Sequence, residues 1–272
     1  MERDDVRASA LAARPAETGT PLVALQSVDK VYANGTVALA GVDLTVGRHE
    51  FVSLLGPSGC GKSTALRLIA GLGEVSAGTI AWPDQPPGKR PDIGFVFQEP
   101  TLMPWATTWD NVWLPLRLRQ VGKAAARPAV EAALAMVGLE GFANAYPREL
   151  SGGMRMRVSI ARALVTNPSV LLMDEPFAAL DEITRQRLND DLLALWQLHA
   201  WTVIFVTHSV YESVYLSQRI VVMAARPGRV IADVPIDAPY PRDQAFRTSG
   251  AYNAACRRVS AELLRAIADA GV

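Results

Sequence analysis

The sequence predicts an α/β fold, a mostly parallel sheet with helices flanking it, and three observations lead there. Residues 51–55 form an apolar run that enters a glycine-rich loop, and residues 65–72 beyond the loop read as a helix. Two further apolar runs, 170–173 and 203–206, each stop on polar residues, the pattern of buried strands. From about residue 107 to 144 the pattern turns helical. With 272 residues, half of them apolar, the chain can bury one substantial core and carry a small appendage.

The elements follow in order. Residues 1–21 are rich in Ala, Arg, Glu and Asp, show no clean period and lack the apolar stretch of a signal peptide, so they read as a flexible tail. Residues 22–55 alternate strand-like runs with turns at Asn34-Gly35, a favoured two-residue hairpin turn, and at Gly47. Residues 79–82 make a short strand, and the four prolines and one glycine of residues 83–91 make a surface loop. The Ala-rich residues 124–137, bounded by glycines, make a helix. Residues 154–164 make another, opened by Ser151. Past Arg226-Pro227-Gly228, residues 229–234 read as a late strand, Pro235, Pro239 and Pro241 break order, and residues 249–270 close as an amphipathic helix.

The chemistry is concentrated in one loop. Gly56-Pro57-Ser58-Gly59-Cys60-Gly61-Lys62-Ser63-Thr64 has the form G-x-x-x-x-G-K-[ST]. Its glycines let successive N–H groups curl around a β-phosphate, Lys62 reaches the β/γ oxygens as a point charge, and the Ser63 hydroxyl can ligate Mg²⁺. The strand before it and the helix after it supply the expected setting, with the helix start facing the phosphates.

Four further segments come in a fixed order: Gln98 after Ile93-Gly94-Phe95-Val96-Phe97; Leu150-Ser151-Gly152-Gly153-Met154; Val170-Leu171-Leu172-Met173-Asp174-Glu175-Pro176; and His208 after Val203-Ile204-Phe205-Val206-Thr207. With them the chain closely resembles the ATP-binding-cassette (ABC) ATPases over residues 22–230. The resemblance implies a P-loop NTPase core joined to an antiparallel β subdomain and to a helical subdomain at about 99–150, leaving residues 231–272 as a C-terminal extension. No internal repeat is visible, so the chain holds one cassette.

The resemblance also implies roles. Asp174 holds Mg²⁺ through its water shell, Glu175 polarises the attacking water, and Gln98 completes the metal and water shell. His208 bonds the γ-phosphate, and Tyr32 stacks on adenine, its rival role being a half-buried strand aromatic. Ser151, Gly152 and Gly153 open a helix that meets the γ-phosphate held by a second copy, so that two cassettes sandwich two ATP molecules. Asp181 lies in the loop that crosses the two-fold interface, or caps the helix starting near residue 183; the two roles are compatible. Met154 stands where the commoner pattern has Gln, and a thioether cannot donate that residue's hydrogen bond. Arg155 and Arg157 read as solvated helix charges.

The Trp-rich residues 99–119 are the expected contact with a membrane permease, with Trp113 in the core and the Leu102–Trp105 loop exposed. Trp109 and Trp113, four apart, share a helix face. In the family this region forms a groove for a short permease helix. The motif-flanking residues look most like the branch serving nitrate, sulfonate, taurine and related small-anion importers, in which an extracytoplasmic solute-binding protein delivers the solute. The two cysteines fit a reducing compartment, and no apolar run approaches the roughly 20 residues that span a bilayer, so the expected place is the cytoplasmic face of the membrane, peripherally bound. Twenty-seven basic against 27 acidic residues leave no net charge, which argues against a nucleic-acid surface. The rival reading is a soluble ABC ATPase acting on nucleic acid or ribosomes; those usually carry two cassettes, a long coiled coil or a basic surface, and this chain has none of these.

Overall fold

The computed structural model of the chain describes residues 21–86, 88–199 and 201–269; apart from Pro21, the tail expected at 1–21 lies outside them. Three strands open the described chain, β1 (Val23–Val31), β2 (Val37–Val46) and β3 (Phe51–Leu55). Helix α1 (Lys62–Ala70), β4 (Ala77–Ala81) and β5 (Ile93–Val96) follow. Next come α2 (Thr108–Leu118), α3 (Lys123–Met136), α4 (Gly152–Leu164), β6 (Val170–Asp174) and α5 (Glu182–His199). The chain ends with β7 (Thr202–Thr207), α6 (Val210–Leu216), β8 (Arg219–Ala224), β9 (Arg229–Pro235), α7 (Gln244–Arg247) and α8 (Gly250–Ala268). No helix among the described residues is long and apolar enough to cross a membrane.

Two units result: an inserted unit, Gly88–Leu195, and a flanking unit made of the chain on either side of it. In the flanking unit β1 pairs antiparallel with β2 and with β4, Val23 opposite Val46 and Ala24 opposite Ala81. The alternation of buried and exposed residues along β2 fits a sheet with one wet face. A second, mixed sheet sets β3 parallel to β7 and β8, and closes with β9 antiparallel to β8. Strands β3 and β7 are buried along their full length, which is why their residues read as unbroken apolar runs. Phe51 anchors this core, edge-on to Trp196 at 5.7 Å and 6.0 Å from Phe205. Helix α1 packs on β7, and α8 packs on α6, β8 and β9.

In the inserted unit β5 and β6 pair in parallel, Ile93 opposite Val170 and Val96 opposite Met173. Helices α2, α3 and α4 pack on one another, and α4 also on β5. Buried Asn111 knits the start of α2 to the loop before it: its amide nitrogen donates to the carbonyls of Met103 (3.2 Å), Ala106 (3.1 Å) and Thr107 (3.0 Å), and its oxygen accepts from Met103 N (2.8 Å). The sequence expects Trp113 in the core. It is half-buried instead, its indole N–H spent on Val121 O at 3.0 Å and its ring lying under the Lys123 ammonium at 5.2 Å. Arg155 and Arg157 are not solvated charges either. Arg155 donates to Leu150 O, and Arg157 joins Val137 O to the Asp191 carboxylate, because both point off α4 toward neighbouring backbone.

Candidate active site

The phosphate loop runs from the end of β3 to the start of α1. Lys62 is only 4 % exposed, and its ammonium is held by the loop's own carbonyls, Gly56 O at 2.8 Å and Pro57 O at 3.1 Å. Gly61, the N-cap of α1, sits at φ 89°, and a Cβ there would meet Leu39 Cδ2 at 2.5 Å and Ala38 O at 2.8 Å. Only glycine satisfies both constraints. Cys60 is fully buried inside the loop, and burial pushes its thiol up against the pull of Lys62.

Pairing of β3 with β7 sets Leu55 beside Thr207, so the loop from Gly56 and the residue His208 leave adjacent strand ends. His208 is exposed, with Ser209 behind it capping α6 through its Oγ, which accepts from Glu212 N at 3.3 Å. Tyr32, at the β1–β2 turn, also reaches the loop: its hydroxyl lies 3.2 Å from Thr64 Oγ1, and its ring is 41 % exposed. The Lys30 ammonium lies over the ring at 5.4 Å from its centre.

One contributor to the loop was not singled out from the sequence. Gly228 backs it, with N–H donating to Ala38 O at 3.1 Å and carbonyl accepting from Ala40 N at 2.9 Å. A Cβ on Gly228 would lie 2.3 Å from Cys60 O. In the sequence Pro227-Gly228 served only to precede the strand expected at 229–234; the close approach depends on residues far away in the chain.

The inserted unit holds the other candidates. Parallel pairing sets Val96 beside Met173, so Phe97-Gln98 and Asp174-Glu175 follow side by side at adjacent strand ends. Gln98 is exposed, while Asp174 is only 6 % exposed. Glu175 sits at φ 46°, a left-handed conformation that costs a non-glycine residue about 1 kcal/mol and recurs at functional sites. Arg162 steadies the segment after Gln98 by donating to Pro100 O (2.8 Å) and Thr101 O (2.9 Å).

Ser151 caps α4 from an exposed position, its Oγ accepting from Met154 N at 3.2 Å. The bond uses the backbone of Met154, so the thioether in place of Gln leaves the cap intact. Gly152 lies against Leu180, and buried Gly153 against Thr184. The Ser151 loop and the Asp181 loop are therefore neighbours. Asp181 caps α5 by accepting from Thr184 N at 3.0 Å, which holds its carboxyl below the usual range.

The donors offered by Ser63, Gln98 and Asp174 are a hydroxyl, an amide oxygen and a carboxylate, all hard oxygen ligands suited to Mg²⁺.

A family model described as ABC transporter matches residues 39–178. A putative ATP-binding protein of Brucella abortus biovar 1 is 45 % identical over 240 residues, 88 % of this chain and 92 % of that protein. An aliphatic sulfonates import ATP-binding protein of Bacillus licheniformis is 44 % identical over 239 residues, 86 % of this chain and 91 % of that protein. The solved dimer of the ATP-binding cassette MJ0796 in a post-hydrolysis state, bound to ADP and Pi, superposes with a TM-score of 0.69 at 35 % identity, covering 79 % of this chain and 99 % of that one.

Proposed function

The chain belongs to the ABC transporter family as a Mg²⁺-dependent ATPase, and from that premise we propose that it powers import of a small anionic solute through a separate membrane permease. Sulfonates, taurine and nitrate are the candidate solutes. The observation that carries the importer reading is the 44 % identity, along 86 % of the chain, to a protein named for aliphatic sulfonates import. Residues 22–230 form the ATPase domain in this reading, with the helical subdomain at about 99–150 and the extension at 231–272. The working place is the cytoplasmic face of the membrane, with a solute-binding protein outside it.

Each side chain has its task. The loop from Gly56 to Thr64 binds the phosphates, Lys62 neutralises the β/γ oxygens and Tyr32 supports the adenine. Ser63, Asp174 and Gln98 would hold Mg²⁺, which when bound would supply charge neutralisation to the phosphates. Glu175 takes the proton of the attacking water, and His208 donates to the γ-phosphoryl group as its charge develops. Ser151, Gly152 and Gly153 present the start of α4 to the γ-phosphate of a second copy, and Asp181 crosses the same interface. Two copies thus close over two nucleotides. The exposed Trp105, 76 % accessible beside the Asn111-knitted loop, passes that closure to the permease helix.

Co-expression with the permease tests the reading. ATP turnover by the complex in proteoliposomes should rise when one of these anions and its binding protein are supplied. Turnover indifferent to any permease and raised by RNA or DNA would overturn it.

A further inference from the structure

The hydrogen bonds of three side chains in the C-terminal segment converge on one short helix. Tyr252 Oη donates to Tyr211 O at 3.0 Å, and Tyr240 Oη to Leu216 O at 2.8 Å. Arg242 Nη1 donates to Val214 O (2.8 Å), Tyr215 O (3.0 Å) and Ser217 O (2.8 Å), the carbonyls at the end of α6. Tyr215 Oη returns a bond to Arg242 O at 2.8 Å. The guanidinium is buried, with 4 % exposure, between the Tyr240 ring at 4.1 Å and the Phe246 ring at 5.3 Å. Among the described residues its partners are carbonyl oxygens and ring faces. A buried cation so placed draws its compensation from the negative end of the helix.

The other end of α6 carries His208. Thr207 Oγ1 donates to Glu212 Oε2 at 2.6 Å, Ser209 N donates to Thr207 Oγ1 at 3.0 Å, and Ser209 Oγ caps Glu212 N. The His208 turn is therefore stapled to the first turn of α6, while Arg242 grips the last. The helix has seven residues and spans about 10 Å. A tilt permitted at one end is delivered to the other.

We propose that Arg242 is a positioning residue for ATP hydrolysis: by gripping the carbonyl end of α6 it fixes where His208 stands, and so ties turnover to the C-terminal segment. This rests on the reading of His208 given above. Arginine suits the task because its planar fork reaches three carbonyls from one nitrogen and a fourth, Ala238 O, from the other.

A double-mutant cycle on kcat tests it, using the full chain with radiolabelled ATP. His208→Ala, Arg242→Ala and the double variant are compared, with nucleotide affinity read by titration of a fluorescent ATP analogue. Arg242→Ala should lower kcat about tenfold while affinity stays within about twofold, and should cost little more once His208 is gone. Arg242→Lys keeps the charge and loses the fork; it should fall between, and it replaces Arg242→Ala in the cycle if that variant does not fold. The same fractional loss with and without His208 would overturn the inference, because the effect would then be structural. If His208→Ala alone left kcat unchanged, the role of His208 would fail first and this inference with it.

Discussion

Lys62 and Glu175 differ in their settings. Lys62 is buried with its ammonium on the carbonyls of its own loop, so its charge is already desolvated inside the loop proposed to bind phosphate. Replacing it by Ala should raise the dissociation constant for ATP about a hundredfold or more, since a desolvated charge–phosphate contact is worth several kcal/mol. Calorimetric titration checks this, and unaltered binding would contradict the loop's role. Glu175 has a left-handed backbone, φ 46°, directly after a fully buried strand. Both residues were legible in the sequence because their meaning lies in close spacing. Gly228, Asn111 and Arg242 were not. Each acts on backbone that distant or ordinary-looking sequence brings to it, and no local pattern announces a glycine that must clear Cys60 O or an arginine that must reach Val214 O. Arg157 misled for the same reason: beside the polar residues of α4 it reads as solvated, and its partner Asp191 lies 34 positions on.

The strands were legible wherever they were buried on both faces. Residues 51–55 and 203–206 were read as apolar runs, and β3 and β7 are buried throughout. Helix ends followed caps: Ser151 opens α4 and Ser249 opens α8. The loop before α2 was legible only as rich in tryptophan and proline. What orders it is Asn111, whose four bonds to residues 103–107 replace the regular structure the loop lacks. Asn111→Ala would leave several buried backbone groups unsatisfied, so unfolding in urea should show a loss of about 2–3 kcal/mol. A loss under about 0.5 kcal/mol would mean that water replaces the side chain at no cost.

In the proposed assembly the exposed Ser151 cap, the exposed Trp105 and the exposed Asp181 would each face a partner. Ser151 and Asp181 would meet the second copy, and Trp105 the permease. The lack of net charge agrees with protein partners rather than a polyanion. These surfaces are where the sequence said least, since an exposed residue leaves no periodic pattern and was identified by family resemblance alone. The central claim is that two copies close over two nucleotides and that Glu175 then releases them. Analytical ultracentrifugation of Glu175→Gln with Mg²⁺ and ATP tests it most directly. The variant should bind ATP, turn it over about 100-fold or more slowly and sediment as a dimer that reverts to monomer when ATP is removed. A variant that stayed monomeric at saturating ATP, or hydrolysed it at the rate of the unsubstituted chain, would contradict the account.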